Sequence, residues 1–499
     1  MPRLTLAAND RRLLWIALAV LFILRLAALF TTPFTDTTEA RYAEIARKMV
    51  ETNNWVTPQY DYGIPFWAKP PLSSWTSAIG IRIFGSNEFG ARIFVLATAF
   101  AVLALLFHWI KRWRGRDQAI LSTVILSSTI IFYVAAAAVM TDLSMMAGTT
   151  LAMVAFWNAM RSPDRRRLWG HLFFVGIGIG LLAKGPVAVV MAGIPIGAWV
   201  LLRNQWRNTW QYIPWITGSL LGLCIAAPWY LLAELRTPGF LQYFLYGEHI
   251  QRFLVSGWEG DLYGNAHSEP LGMIWIYWLI AAAPWSFLAL AAFFRPRLAA
   301  RTIFRSEDDL PFYLLLWILA PLVFFSPARN IIATYVITGI PAAALLIPEL
   351  RGLLRRSDDL PARSLRPILG LATGLSMLIF AYSMIVFASF PDHAPKHSQK
   401  PIVLDSLGQH PEANLHYWRS RQYSAEFYSQ GRAQPIETIA DLELLRSNNQ
   451  LDYLAVRPKD FKTLPDWVSK SFTPVSTHQG TTLLLEISQS DTPLTLSKK

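Results

Sequence analysis

The chain has 499 residues, 53% of them hydrophobic and only 16% charged, with a mean hydropathy of +0.32. That balance excludes a soluble enzyme, since runs of about 20 apolar residues recur at the length that crosses a bilayer core as a helix. The net charge of +12 lies in short loops between apolar runs, which argues against nucleic-acid binding, and a single cysteine, Cys224, excludes a disulfide framework and a thiolate zinc site.

Taken in order, the apolar runs fall near 13–30, 91–110, 119–138, 143–160, 171–183, 186–202, 211–232, 271–294, 311–326, 330–348 and 366–390. The pattern predicts an α-helical polytopic membrane protein with about 11–13 transmembrane helices. The first run lacks a small-residue cleavage site and is followed by more spans, so it reads as a retained helix rather than a signal peptide. The fifth ends at Lys184-Gly185-Pro186, where a helix must break. Alternate connections carry the cations: Arg11 and Arg12, then 111–116, 161–167, 203–208, 295–305 and 351–366. The positive-inside rule puts that side in the cytoplasm. The opposite side receives 31–90, Met140 to Asp142, Lys184 to Pro186, 233–270, Ser326 to Asn330 and the chain beyond 390. Its two long loops, 31–90 and 233–270, are rich in aromatics and predict amphipathic helices along the membrane surface. After 390 the chain turns polar. Alternation at 451–456 and 481–487, with a helical pattern at 436–447, predicts a small α/β domain at 391–499 outside a membrane domain at 1–390.

Polar groups gather on that outer side. The loop after the first span opens with Asp36 and Glu39, spaced as a capping box. Tyr42, Ala46, Met49 and Val50 make an apolar stripe, and Glu44 with Lys48 an i,i+4 pair. Helix capping therefore explains Glu39, whereas Asp36 also stands where a base is needed. Lys69, Asp142, Lys184, Glu248, His249, Arg252, His267, Arg329 and Tyr335 all fall at or near outer ends of spans. Each has a plain structural reading: Lys184 and Arg329 can snorkel to the interface, and a loop histidine needs no ligand. Asp142 is the sharpest case, because an acid between AAAAVMT and LSMMAG is costly unless paired. Carboxylates, several cations and tyrosine hydroxyls together suit a phosphate recognised at a membrane surface beside a proton acceptor.

The order of these motifs resembles the GT-C glycosyltransferases, above all the bacterial lipid A aminoarabinose transferases and more distantly the protein O-mannosyltransferases. The matching stretches are D-x-x-E-x-RYAEIAR (36–47), KPPLSSW (69–75), FGSNEFGARI (84–93), LAKG (182–185), EHIQRF (248–253), His-x-x-Pro (267–270) and S-x-x-R-x-x-x-x-TY (326–335). They cover about the first 350 residues. The resemblance implies a bacterial inner-membrane enzyme, multi-pass, with the C-terminal domain in the periplasm. Its donor would be a sugar on a polyprenyl phosphate such as undecaprenyl phosphate, and its acceptor lipid A or a related glycolipid. Asp36 would be the base or acceptor-positioning carboxylate. Arg41, Tyr42, Lys69, Arg252 and Tyr335 would bind the lipid phosphate, with Asp142 and His249 in support. One departure stands out: the glutamate that precedes this Lys-Pro in much of the family, and is associated with a metal, is Ala68 here. That substitution argues against a divalent ion held by Glu and His, although His249 and His267 remain as ligands for one, and no other cofactor is implied. Protein O-glycosylation is the alternative within the enzyme class. A lipid transporter or flippase ranks lower, because polar groups collect on one face and no internal repeat is visible.

Overall fold

The computed structural model describes residues 4–264, 267–354, 366–390, 394, 397–448 and 450–487. In chain order its helices are α1 (Ala8–Thr31), α2 (Thr38–Glu51), α3 (Leu72–Phe84), α4 (Glu88–Arg114), α5 (Arg116–Ser128), α6 (Ile130–Ala135), α7 (Thr141–Arg161), α8 (Arg166–Lys184), α9 (Val187–Leu202), α10 (Trp206–Tyr212) and α11 (Trp215–Arg236). A wide helical turn over Gln242–Gln251 leads into α12 (Arg252–Leu254). Then come α13 (Met273–Ala281), α14 (Ser286–Phe294), α15 (Pro296–Phe304), α16 (Leu310–Phe325), α17 (Ile340–Leu346) and α18 (Arg366–Ser389). Among the described residues seven helices are long and apolar enough to cross a membrane, and Val187–Leu202 and Leu310–Phe325 are shorter apolar helices. The chain is a multi-pass membrane protein.

Two predicted spans are broken. The run at 119–138 divides at Thr129, where the backbone turns extended between α5 and α6. The run at 271–294 divides between α13 and α14 around Pro284, which has no amide hydrogen to continue a helix. Most of the predicted loop at 351–366 lies outside the described residues.

Helix α7 is the axis of the bundle, buried along nearly its whole length. It lies close against α8 because glycines meet there. A Cβ at Gly176 would stand 2.6 Å from both Ala152 N and Gly148 O, so no side chain fits. Close backbone approach through small residues is how helices associate where lipid supplies no hydrophobic drive. Around this seam one core joins α4, α5, α7, α9, α16 and α17 through Trp157, Trp199, Tyr313 and Trp317.

The loop after α1 is covered by other parts of the chain. It carries α2, a hairpin of β1 (Gln59–Asp61) and β2 (Ile64–Pro65), and α3. Helix α2 is covered on both faces, and even Glu44, Arg47 and Lys48 are buried. The cover comes from the C-terminal region: α19 (Lys400–Ser406), β3 (Asn414–Trp418), α20 (Tyr423–Tyr428), β4 (Ala433–Ile436), α21 (Ile439–Leu445), β5 (Asp452–Val456), α22 (Val468–Ser471), β6 (Phe472–His478) and β7 (Thr481–Glu486). Its sheet runs β4-β3-β5-β7-β6, with β3 parallel to β4 and β5 and β7 antiparallel to β5 and β6. Tyr423 and Phe427 of α20 enter the same core as Tyr42, Ala43 and Met49 of α2. Buried charges seal the contact: Lys48 Nζ lies 3.0 Å from Glu426, and Arg421 lies 2.8 Å from Asp61.

Candidate functional site

The site begins where α8 stops. Gly185 adopts φ +85, and a Cβ there would come within 2.5 Å of the Phe244 ring and 3.1 Å of His249 Nε2. Only glycine allows this turn, and the turn sets Lys184 facing the first residues of α7. Lys184 Nζ donates to Asp142 Oδ1 at 2.6 Å and sits 4.6 Å from the centre of the Tyr335 ring. Asp142 is thus the paired acid its apolar surroundings demand.

A second ion cluster adjoins it. Lys69 Nζ donates to Glu248 Oε2 at 2.7 Å, and Arg252 donates to both Glu248 oxygens at 3.1 and 3.0 Å. Arg252 also lies 3.3 Å from Asp261. Burial pushes the Glu248 carboxyl up, but Lys69 and Arg252 outweigh it and hold the group ionised, below the usual range. Burial lowers the Lys69 ammonium, with Glu248 opposing. Burial raises the Tyr42 hydroxyl, leaving a neutral hydrogen-bond donor.

These groups form a wall shared by two cavities. One, of about 190 Å³, is lined by Lys69, Asp142, Lys184, Glu248, His249, Arg252 and Tyr335 together with the apolar Val187, Val190, Phe253 and Phe324. The second, of about 510 Å³, shares Lys69, Asp142, Lys184, Arg252 and Tyr335. It continues along Thr37, Thr38, Arg41, Tyr42, Asp261, Tyr263 and His267. A greasy compartment and a polar one therefore meet at a row of cations, the arrangement an amphiphile with an anionic junction requires.

Not every predicted residue stands on that wall. Arg41 lines only the polar cavity, donating to the Tyr263 carbonyl and lying over the rings of Tyr42, Phe66 and Tyr423. His267 reaches the same cavity from its exposed rim, and Arg329 is exposed and lines neither. Asp36 and Glu39 form no capping box. Glu39 accepts from Arg92 Nε at 2.8 Å and from Val139 N at 3.2 Å, and Asp36 accepts from the backbone N of Ser424 at 3.0 Å and from its hydroxyl. Burial raises the Asp36 carboxyl to about 6, against those hydrogen bonds. Asp36 thus stands one residue behind the wall, next to Thr37 and Thr38. The sequence offered no sign of Arg421 and Tyr423, which line the polar cavity from the C-terminal region. Nothing local marks a residue that reaches a site nearly 400 positions away.

The residues do not fit a divalent ion. Ala68 presents a methyl group, and its carbonyl accepts from Lys69 Nζ at 2.7 Å. Both Glu248 oxygens already carry cations, and His249 sets Nδ1 2.7 Å from the Phe244 carbonyl and Nε2 3.3 Å from that of Lys184. Among the described residues no three His, Cys, Asp or Glu side chains converge as ligands.

Residues 13–244 match the family described as dolichyl-phosphate-mannose-protein mannosyltransferase. The undecaprenyl phosphate-alpha-4-amino-4-deoxy-L-arabinose arabinosyl transferase of Aeromonas salmonicida is 32% identical over 76% of this chain and 66% of its own length. The enzyme of the same name from Pseudomonas paraeruginosa is 29% identical over 82% and 72%. The chain spans about two thirds or less of the first relatives it matches, 66%, 54% and 63%. Among solved structures, ArnT from Cupriavidus metallidurans bound to undecaprenyl phosphate superposes with a TM-score of 0.74 at 19% identity, over 98% of this chain and all of that one. The apo oligosaccharyltransferase of Archaeoglobus fulgidus gives 0.54 at 10% identity, over 89% of this chain and 70% of that one.

Proposed function

Because this chain belongs to the GT-C glycosyltransferases that include the lipid A aminoarabinose transferases and the protein O-mannosyltransferases, we propose that it moves a sugar from undecaprenyl phosphate to lipid A or a related envelope glycolipid. The observation that carries this reading is the cation row of Lys69, Lys184 and Arg252 shared by the apolar and the polar cavity. In the proposal the polyprenyl chain leaves through the apolar compartment and the sugar projects into the polar one. The site faces the periplasm of a bacterial inner membrane. Residues 1–390 carry the donor side and residues 391–499 close over the acceptor side.

The chemistry follows from where charge develops. An acceptor oxygen attacks the anomeric carbon, the bond from that carbon to the phosphate oxygen breaks with inversion, and undecaprenyl phosphate departs as the anion. Phosphate is already a good leaving group, so fixed cations aimed at its oxygens supply more than a strong acid would. Lys69 and Arg252, braced by Glu248, and Lys184, braced by Asp142, are those cations. Tyr335 and Tyr42 donate hydrogen bonds, and His249 supports Lys184 through its backbone. Arg41, His267, Arg421 and Tyr423 face the acceptor. Asp36, beside Thr37 and Thr38, takes the acceptor proton after exchanging its bond with Ser424 for one to the acceptor.

Mass spectrometry of envelope lipids from a deletion strain, with and without the wild-type chain restored, tests the substrate class. The expected result is loss of one sugar-sized mass from lipid A or another glycolipid, recovered on complementation. Unchanged lipids beside altered glycoproteins would move the assignment to protein O-glycosylation.

A further inference from the structure

A groove remote from the ion wall runs between α1, α4, α5 and α6. It is almost wholly apolar and encloses about 340 Å³, with Trp15, Phe22, Phe100 and Phe107 along it and Arg25 and Tyr133 at one end. Trp15, Phe22 and Phe100 are exposed on the membrane-facing side of the bundle. Trp15 and Arg25 are ten positions apart on one helix, hence about 15 Å at 1.5 Å per residue. That is about the length of one extended acyl chain, half of the ~30 Å hydrocarbon core.

Arg25 is the feature that needs an explanation. An arginine six residues inside an apolar helix is costly unless it is paired. Its guanidinium donates to the Val134 carbonyl at 2.8 Å and lies 4.9 Å from the centre of the Tyr133 ring, while its buried Nε has no partner. No carboxylate lines the groove. Glu39, on the neighbouring α2, is taken by Arg92 and by the Val139 amide. One acid therefore faces two guanidiniums, and the positive charge left over sits at the groove's end nearest the loop that carries the site.

We propose that this groove binds a membrane phospholipid, with one acyl chain along α1 and the phosphate on Arg25. A phosphodiester matches the planar donor fork of a guanidinium. A single acyl chain matches the groove's length, whereas a polyprenyl chain runs far beyond it.

Native mass spectrometry of the full-length protein, extracted from membranes in mild detergent, tests this. Wild type is expected to carry a phospholipid at one per chain, and Arg25→Gln to carry about tenfold less, as loss of a hydrogen bond to a charged group implies. Ala104→Trp, which fills the groove from an exposed position, should also expel it, and Arg25→Lys should retain part. Equal retention in Arg25→Gln and in Ala104→Trp would overturn the proposal, as would a wild type carrying only detergent or polyprenyl phosphate. Ala104→Trp keeps the test decisive even if Arg25→Gln fails to fold.

Discussion

Asp36 is the residue whose two roles can be separated. Its folded-state pKa of about 6 exceeds the ordinary 3.8, so the folded protein holds the proton more tightly than the unfolded chain. Stability contributed at this position therefore falls as pH rises between those values, by about 1.4 kcal/mol per unit. Asp36→Asn keeps an oxygen for Ser424 and removes the buried charge. The variant should melt higher than wild type at pH 7.5, with a flatter pH dependence of its thermal midpoint, yet lose transfer. Wild-type transfer should rise with pH through about 6 as the carboxylate forms. A stable Asp36→Asn protein with normal turnover would leave Asp36 a docking group only. For Lys69→Ala we expect a drop of about 100-fold in transfer, the scale seen when one fixed transition-state donor is removed. Lys69, Asp142 and Lys184 were legible because charges at span ends are conspicuous in apolar sequence. Asp36 was legible as unusual, but its partner was not: Ser424 lies far along the chain in a segment with no motif.

At the scale of elements, the spans were easy to read and their interruptions were not. Runs such as 143–160 announce themselves by hydropathy, whereas the break at Thr129 depends on tertiary packing that overrides an unbroken apolar pattern. The α7–α8 seam makes a sharp prediction. Gly176→Leu must place its side chain against backbone that stands 2.6 Å from the first added carbon. It should lower the thermal midpoint measurably, at a cost of about 1–3 kcal/mol or more, and misplace Lys184 eight residues on. Wild-type melting and activity in that variant would mean that α7 and α8 do not cross as described. Helix α2 shows the opposite limit. Its stripe of Tyr42, Ala46 and Met49 was read from spacing, but the burial of its polar face under α20 was not, because Glu44 and Lys48 look like solvated residues until Arg47 pairs with the one and Glu426 with the other.

For the whole molecule, the C-terminal region lines the polar cavity through Arg421 and Tyr423 rather than standing apart from it. Glu426 lies 3.0 Å from Lys48 and 2.7 Å from Arg421. Glu426→Ala would remove the carboxylate shared by buried Lys48 and half-buried Arg421, which keep only Glu44 and Asp61 as partners, at a cost of about 1–3 kcal/mol. Limited proteolysis should then release the segment after 390 while α1–α18 stay in the membrane, with transfer lost. Uncleaved, active protein would contradict the docking. The most direct test of the shared wall uses purified protein in liposomes with a sugar-loaded undecaprenyl phosphate and a lipid A acceptor. Mass spectrometry then follows free undecaprenyl phosphate and acceptor mass together. Wild type should release one undecaprenyl phosphate for each sugar gained, and Arg252→Ala and Lys69→Ala should do neither, with chelator making no difference. Coupled transfer at the wild-type rate in both variants would contradict the cation wall as the seat of the reaction.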